Sequence, residues 1–189
     1  MFDSILQLDR KILIFLNNLG NENWDAFWLF ITNQKHWIPF ILLLLVLIWV
    51  KTNWKYALVV LLVGGALGGV SNEIVDLFKE TIQRLRPNND ESIKHLIRVL
   101  KNPRSFSFLS GHATTSTALS MYLFLHLRKY YKFAILAFIW PLLFAYSRIY
   151  LGVHYPTDIT VGMLFGIVFG ISFYKLSKYI IEKKIKKVK

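Results

Sequence analysis

Long apolar runs alternate with short polar stretches along most of this chain. Each run approaches the roughly 17–25 residues that a helix needs to cross a bilayer. The stretches between them carry charged residues, glycine or proline, which mark turns and helix ends. The pattern predicts an all-α, polytopic membrane helical bundle with about five transmembrane helices. The predicted spans are residues 37–50 with their flanks, 56 to about 78, 111 to about 127, about 133–146, and 159–176.

The N-terminal segment, residues 1–36, does not fit this pattern because charged and amide side chains interrupt every apolar stretch. Residues 5–19 have the composition of an amphipathic helix that lies in the membrane interface. We therefore expect one interfacial helix before the first span. The chain as a whole, 1–189, is predicted to be a single integral-membrane domain, with a helical core at 37–176 and a basic tail at 177–189.

The composition supports a membrane protein and excludes several kinds of chemistry. Apolar residues make up 54% of the 189 residues and the mean hydropathy is +0.42, which is high for a soluble fold. The net charge of +12 would suit nucleic acid, but cationic loops beside membrane spans explain it without that partner. The absence of cysteine excludes disulfides, zinc–thiolate sites and thiol catalysis.

Two local patterns predict a short helix that covers the site and close packing between the spans. In the polar connection 88–110, apolar residues from Ile93 to Leu100 recur at spacings of three and four. A short helix capped by Asn89 or Asp90 is expected there, as a roof at the membrane surface. Small residues that permit close helix contact are Gly64, Gly65, Gly68 and Gly69 in the second span and Gly162, Gly166 and Gly170 in the fifth.

Five spans bring three polar clusters to one face of the membrane: residues 79–87, 109–112 and 147–158. Each cluster follows an even-numbered span or precedes an odd-numbered one. A random scatter of polar residues at membrane edges would not sort in this way. We therefore interpret the three clusters as parts of one site.

The distribution of cations predicts which way this face points. The opposite face would carry twelve cations, and the cluster face eleven, or eight when Lys79, Arg86 and Arg148 are set aside as site residues. Lys and Arg concentrate on the cytoplasmic side of membrane proteins. The clusters are therefore predicted to face the outside, or the periplasm of a bacterial inner membrane.

The side chains in the clusters are those of an anion site. Several cations converge with the N-terminus of the third span, where Ser110 and Gly111 offer a hydroxyl and backbone N–H groups. Phosphate is the anion that this set fits best. The sequence offers no paired carboxylates for a divalent metal and no Gly-rich nucleotide loop, so neither a metal nor a cofactor is expected.

Two histidines beside the anion suggest that one attacks phosphorus and the other protonates the leaving oxygen. His154 is the better nucleophile, because Asp158 would orient its ring and stabilise the imidazolium. His112 suits the general acid. Taken singly, each site residue has a simpler explanation, such as a helix cap for Ser110 or an ion pair between Arg148 and an acid of the second span. If there were no site, all of these simpler explanations would have to hold at the same time on the same face of the membrane.

Three motifs occur in order: Lys79-x6-Arg86-Pro87, Ser110-Gly111-His112 and Ser147-Arg148-x5-His154-x3-Asp158. Together they resemble the signature of the type 2 phosphatidic acid phosphatase family of membrane lipid phosphatases, whose site is shared with vanadium haloperoxidases. The resemblance covers roughly residues 70–176. One departure is Leu109, where the family usually has proline, and it affects the turn into the third span rather than a reactive group.

The resemblance implies a metal-independent reaction through a phosphohistidine, inhibited by vanadate. His154 would carry the phosphoryl group, Asp158 would support it, and His112 would protonate the leaving group. The residues implied to bind the substrate phosphate are Lys79, Arg86, Ser110, Gly111 and Arg148.

The implied partner is a lipid phosphate in the membrane, with no nucleic acid and no obligate protein partner. We rank undecaprenyl diphosphate first, because its recycling is so widely needed. The alternatives are the lipid A 1-phosphate, phosphatidylglycerophosphate, phosphatidic acid and phosphotransfer to an acceptor other than water. A scaffold with a dead site is disfavoured by the intact histidines. A solvated loop, a second phosphate or a sugar headgroup would explain Arg84, Lys94, Arg98, Lys101 and Arg104.

Overall fold

The computed structural model describes residues 2–184, which contain seven α-helices, several 3-10 turns and no β-strand. Residues 185–189 of the predicted basic tail lie outside the described residues. The helices are α1 (Phe2–Asn18), α2 (Asp25–Ile31), α3 (Ile38–Lys51), α4 (Trp54–Ile82), α5 (Gly111–Leu127), α6 (Ile139–Tyr150) and α7 (Pro156–Lys184).

Four helical segments of the described chain are long and apolar enough to cross a membrane. The predicted polytopic membrane bundle is thereby confirmed. The remaining predicted span is α5, whose 17 residues extend about 26 Å at 1.5 Å per residue, the lower limit for a span. The count of five spans therefore stays a prediction. The four segments are Gln34–Lys51, Trp54–Asn89, Lys132–Tyr150 and Pro156–Lys184.

Helix α5 forms the centre of the bundle, where it packs against α3, α4, α6 and α7. The predicted small-residue stripe of α7 faces it. A Cβ added at Gly166 would lie 2.6 Å from the backbone oxygen of Thr114, so only glycine allows the two helices to come this close. The glycines of α4 behave differently, because added Cβ atoms at Gly65, Gly68 and Gly69 would meet nothing within 4 Å. The prediction of close contact there is wrong for these three.

The connection between α4 and α5 does not contain the helix predicted from Ile93 to Leu100. It has only the 3-10 turns Pro87–Asn89 and Lys94–Leu96. The side chain of Asn17 accepts from the backbone N–H of Arg98 at 2.7 Å and donates to its carbonyl at 3.0 Å. A helix would need the same groups, so a tertiary contact overrides the local pattern here.

The N-terminal helix α1 is amphipathic, as predicted, but its polar residues are not all exposed. Asp9, Leu13 and Asn17 follow one another at a spacing of four and are 2%, 0% and 0% exposed. They form a stripe that packs against α6 and α7. The location of α1 in the membrane interface stays a prediction, whereas the structure shows that α1 packs on the bundle.

Candidate active site

The three polar clusters meet at one end of the bundle. The end of α4 leads to Arg86, whose Nη1 lies 3.0 Å from Nε2 of His154. The backbone N–H of Ser110, at the start of α5, donates to the carbonyl of Asp158 at 3.2 Å. Arg148 reaches the same end from the last turn of α6. Residues far apart in sequence thus share one buried site.

A tight link between α6 and α7 places His154. Gly152 has a φ of +70°, which favours glycine, and a Cβ there would lie 2.7 Å from the carbonyl oxygen of Arg98. The backbone N–H of Val153 then donates to the carbonyl of Arg148 at 3.1 Å. This turn directs the imidazole of His154 inward, where it is only 1% exposed.

The partners of His154 define its tautomer. A guanidinium has donors only, so Nε2 of His154 must be the acceptor for Arg86 and must carry the lone pair. The ring proton then sits on Nδ1, which lies 3.5 Å from Oδ2 of Asp158, longer than a normal hydrogen bond. The nitrogen with the lone pair therefore points towards the cations and the protonated nitrogen towards the carboxylate.

Burial lowers the pKa of His154 to about 3, against the opposing effect of Asp158. The charges of Arg86 and Arg148 lower this pKa further. The ring is consequently neutral at neutral pH, which is the form that can attack an electrophile.

Asp158 is fully buried and is held on both carboxylate oxygens. Its Oδ1 accepts from Nη1 of Arg84 at 2.7 Å. Its Oδ2 accepts from the hydroxyl of Ser107 and from the backbone N–H of Tyr155. Because Asp158 stands in the first turn of α7, the helix dipole also favours its negative charge. The carboxylate is therefore fixed in one position beside His154.

Two buried arginines supply the positive charge of the site, and both are 5% exposed. Nε of Arg86 donates to the carbonyl of Ser105 at 2.6 Å. Nη1 of Arg148 donates to the hydroxyl of Thr32, not to an acid of α4. Nε of Arg148 has no hydrogen-bond partner among the described residues. A buried, unpaired guanidinium N–H is costly, and an anionic substrate oxygen would satisfy it.

The start of α5 supplies the second histidine and the helix N-terminus. Ser110 is the N-cap, and its side chain accepts from the backbone N–H of Ala113. Gly111 and His112 follow in the first turn, where backbone N–H groups have no partner within the helix. The imidazole of His112 packs against the ring of Phe144, with 4.9 Å between the centroids.

Lys79 lies at the edge of the site, where its Nζ donates to Asp76 at 2.8 Å. The same Nζ is 3.9 Å from the position of a Cβ on Gly111, so it is close to the start of α5. Asp76 therefore supports the lysine.

Most of the extra cations proposed for a second phosphate have carboxylate partners. Arg84 pairs with Asp9 and Asp158, Lys94 with Glu91, and Arg98 with Asp25. Of the remaining two, Lys101 has a pKa that partial burial and the charge of Arg148 lower. Arg104 lines a cavity of about 430 Å³ with Lys79.

The sequence patterns did not identify four residues that hold the site together: Asp9, Thr32, Ser107 and Thr157. Each binds a site residue or its direct partner through a side-chain oxygen. Asp9, Thr32 and Ser107 lie outside the three motifs, and Thr157 occupies a variable position within the third. Single polar residues in loops or at helix ends carry no periodic signal. Within residues 2–184, no group of three or more His, Asp or Glu side chains is arranged to hold a metal ion.

The architecture is that of a polytopic membrane phosphatase. A transmembrane PAP2-type phosphatidylglycerolphosphate phosphatase from Bacillus subtilis superposes with a TM-score of 0.72, at 23% identity, over 94% of this chain and 88% of the other. The family model of the PAP2 superfamily matches residues 53–182. The chain therefore belongs to the PAP2 superfamily, and it is a membrane lipid phosphatase.

Two curated relatives carry different substrate names. A lipid A 4'-phosphatase of Bacteroides thetaiotaomicron is 29% identical over 92% of this chain and 79% of its own length. An undecaprenyl-diphosphatase of Sulfolobus acidocaldarius is 32% identical over 82% of this chain and 64% of its own length. The family inferred from the three motifs is confirmed.

Proposed function

We propose that this protein releases phosphate from a membrane lipid without a metal, through a phosphohistidine on His154. The observation that carries the proposal is the contact of 3.0 Å between Nη1 of Arg86 and Nε2 of His154. It turns the lone pair of the nucleophile towards the place where cations would hold the phosphate. Arg148, with its unpaired Nε, lies on the same side.

The reaction has two steps. Nε2 of His154 attacks phosphorus, the bond between phosphorus and the lipid oxygen breaks, and His112 gives that oxygen a proton. The ring then carries a positive charge, which the carboxylate of Asp158 stabilises. In the second step water gives a proton back to His112 and attacks phosphorus, which releases phosphate and restores His154. Arg86, Arg148, Lys79, Ser110 and Gly111 hold the phosphoryl oxygens.

For the substrate we propose a phosphate monoester of a lipid A-type glycolipid, with undecaprenyl diphosphate second. This order reverses the one drawn from the sequence. The lipid A 4'-phosphatase covers more of this chain than the diphosphatase does. In addition, Arg84, Lys94 and Arg98 are paired with carboxylates, which leaves fewer cations for a second phosphate.

We propose that the site opens to the outside of the cell or to the periplasm. The far end of the bundle, where α3 meets α4 and where α5 leads to α6, carries Lys51, Lys55, Arg128, Lys129 and Lys132. Cations of this kind favour the cytoplasmic side. The whole chain would then act as one domain, with α1 and α2 on the outer surface.

The test is phosphate release in detergent and EDTA from lipid A, undecaprenyl diphosphate and phosphatidylglycerophosphate. We expect release from lipid A to be fastest, to be blocked by vanadate, and to disappear in His154→Ala but not in the matched control His95→Ala, which changes an exposed histidine. Transfer of phosphate to an added acceptor instead of water would identify a phosphotransferase. Release that survives in His154→Ala would refute the nucleophile.

A further inference from the structure

The N-terminal helix contributes a buried carboxylate to the back of the site. Asp9 of α1 is 2% exposed, although it lies in the segment that the sequence patterns assigned to the membrane surface. Its Oδ2 accepts from Nη2 of Arg84 at 2.7 Å and from the hydroxyl of Thr157 at 2.6 Å. Its Oδ1 accepts from the backbone N–H of Thr157 at 2.9 Å. Both oxygens are thus fully engaged.

Arg84 connects this carboxylate to the one that supports the nucleophile. Its Nη1 donates to Oδ1 of Asp158 at 2.7 Å while its Nη2 binds Asp9. The guanidinium carbon lies 3.9 Å from the centre of the Tyr155 ring, so the plane of the group is fixed by stacking. One cation therefore bridges two buried anions.

The charges of this trio bear directly on the reaction. Attack by His154 creates a positive charge on the ring, and a net negative charge behind the ring is needed to stabilise it. Asp158 with Arg84 alone would be a neutral pair. Asp9 adds one negative charge, so that the three groups together carry −1. In a buried site such charges are weakly screened by solvent.

We propose that Asp9 is a positioning residue of the phosphatase reaction, which holds Arg84 and offsets its charge so that Asp158 keeps a net negative potential towards His154. The inference rests on the proposed phosphohistidine mechanism. It makes α1 a part of the catalytic apparatus rather than a membrane anchor only. Asp9 itself touches neither the substrate nor the nucleophile.

The first test compares Asp9→Asn with Asp3→Asn, which removes an exposed carboxylate from the same helix. Loss of an outer partner that orients a metal-bound histidine typically costs about 10–100-fold in activity, and we use this as the scale for a partner behind His154. We expect Asp9→Asn to lower kcat by about tenfold or more, with KM unchanged, and to slow the formation of trapped phosphohistidine. Asp3→Asn should match the wild type. An unchanged kcat in folded Asp9→Asn would overturn the proposal.

The second test distinguishes charge balance from simple loss of packing. In Asp9→Asn/Arg84→Gln the trio regains its net charge of −1, now carried by Asp158 alone, so we expect kcat to rise at least threefold above that of Asp9→Asn. A purely structural role predicts further loss, which would refute the proposal. The double variant also decides the matter if Asp9→Asn alone does not fold, since an inactive but folded double variant contradicts charge balance. A wild type that forms no phosphohistidine would instead refute the proposed function.

Discussion

The bundle contains two fully buried histidines, one near each end, with opposite surroundings. His154, at the end that holds the candidate site, is 1% exposed, and His126, near the other end, is 0% exposed. His154 lies between an arginine and an aspartate. His126 lies between the hydroxyls of Tyr56, 2.9 Å from Nδ1, and Ser177, 3.0 Å from Nε2.

The two rings also adopt opposite tautomers. The hydroxyl of Ser177 donates its only proton to the carbonyl of Tyr174 at 2.9 Å, so it must accept from Nε2–H of His126. Nδ1 of His126 then accepts from the hydroxyl of Tyr56. In His154 the lone pair is on Nε2 and faces a cation. Both nitrogens of His126 are satisfied by neutral groups, whereas Nδ1 of His154 has no hydrogen-bond partner among the described residues.

Burial alone therefore does not distinguish the two histidines, whereas their hydrogen-bond partners do. Neutral partners on both nitrogens use up the hydrogen-bonding capacity of His126 and tie α4, α5 and α7 together. Charged partners leave the lone pair of His154 directed at the place where an anion would bind. The same substitution should consequently abolish activity at His154, whereas at His126 it should lower stability and leave activity nearly unchanged.

The largest effect is expected for His154→Gln. Loss of a nucleophile commonly costs on the order of 10⁴-fold or more in kcat, because no other group can form the covalent intermediate. Initial rates on the best lipid phosphate, measured beside His126→Gln, provide the check. Comparable activity in the two variants would contradict the distinction drawn between the two rings.

Arg148→Lys should lower kcat/KM by about 10²–10³-fold, the usual cost of losing a preorganised donor to a developing charge. A lysine retains the charge but lacks the fork of donors that includes the unpaired Nε. Arg128→Lys, an exposed arginine at the other end of the bundle, is the matched control. If both changes are tolerated equally, Arg148 does not bind phosphate.

A change in pH is expected to alter kcat/KM less than these substitutions do, but the direction of the change is defined. An imidazole with an ordinary pKa near 6.5 is mostly protonated at pH 5, and a protonated ring cannot attack. Because burial lowers the pKa of His154 to about 3, the ring stays neutral at pH 5. The acid limb of the profile, which reports the free enzyme, should therefore lie below pH 5. A midpoint near 6.5 would mean that Asp158 outweighs burial.

The sequence predicted the elements of the site better than the contacts between them. The long apolar runs located the spanning helices, and the alternation of spans brought Arg86, Ser110 and His154 to one end. The role of Asp9 was not predictable, because its partner Arg84 is 75 positions away and Thr157 is 148 positions away. From the sequence, a carboxylate among other polar residues is expected to be exposed, and only the packing of the fold shows that it is buried.

The prediction of a helix in the connection between α4 and α5 is wrong for a related reason. Its apolar spacing favours a helix, but Asn17 from α1 takes the backbone groups of Arg98 that a helix would use. Local pattern is a weak predictor where a distant side chain competes for the backbone. Both errors trace to α1, whose contacts with the rest of the chain are almost all long-range.

The smallest effect on activity is expected for His126→Gln, which should leave kcat within about twofold of the wild type while lowering stability. Glutamine cannot reach both hydroxyls in the geometry of the ring, and a buried polar group left unpaired costs about 1–3 kcal/mol. For a chain of this size each 1 kcal/mol corresponds to about 2–4 °C in Tm. Melting in detergent beside His95→Gln, an exposed histidine whose replacement should shift stability by no more than about 0.5 kcal/mol, measures the difference. A fully stable His126→Gln would show that the Tyr56–His126–Ser177 contacts do not hold the helices together. A large loss of kcat in this variant would show that the far end of the bundle is coupled to the site.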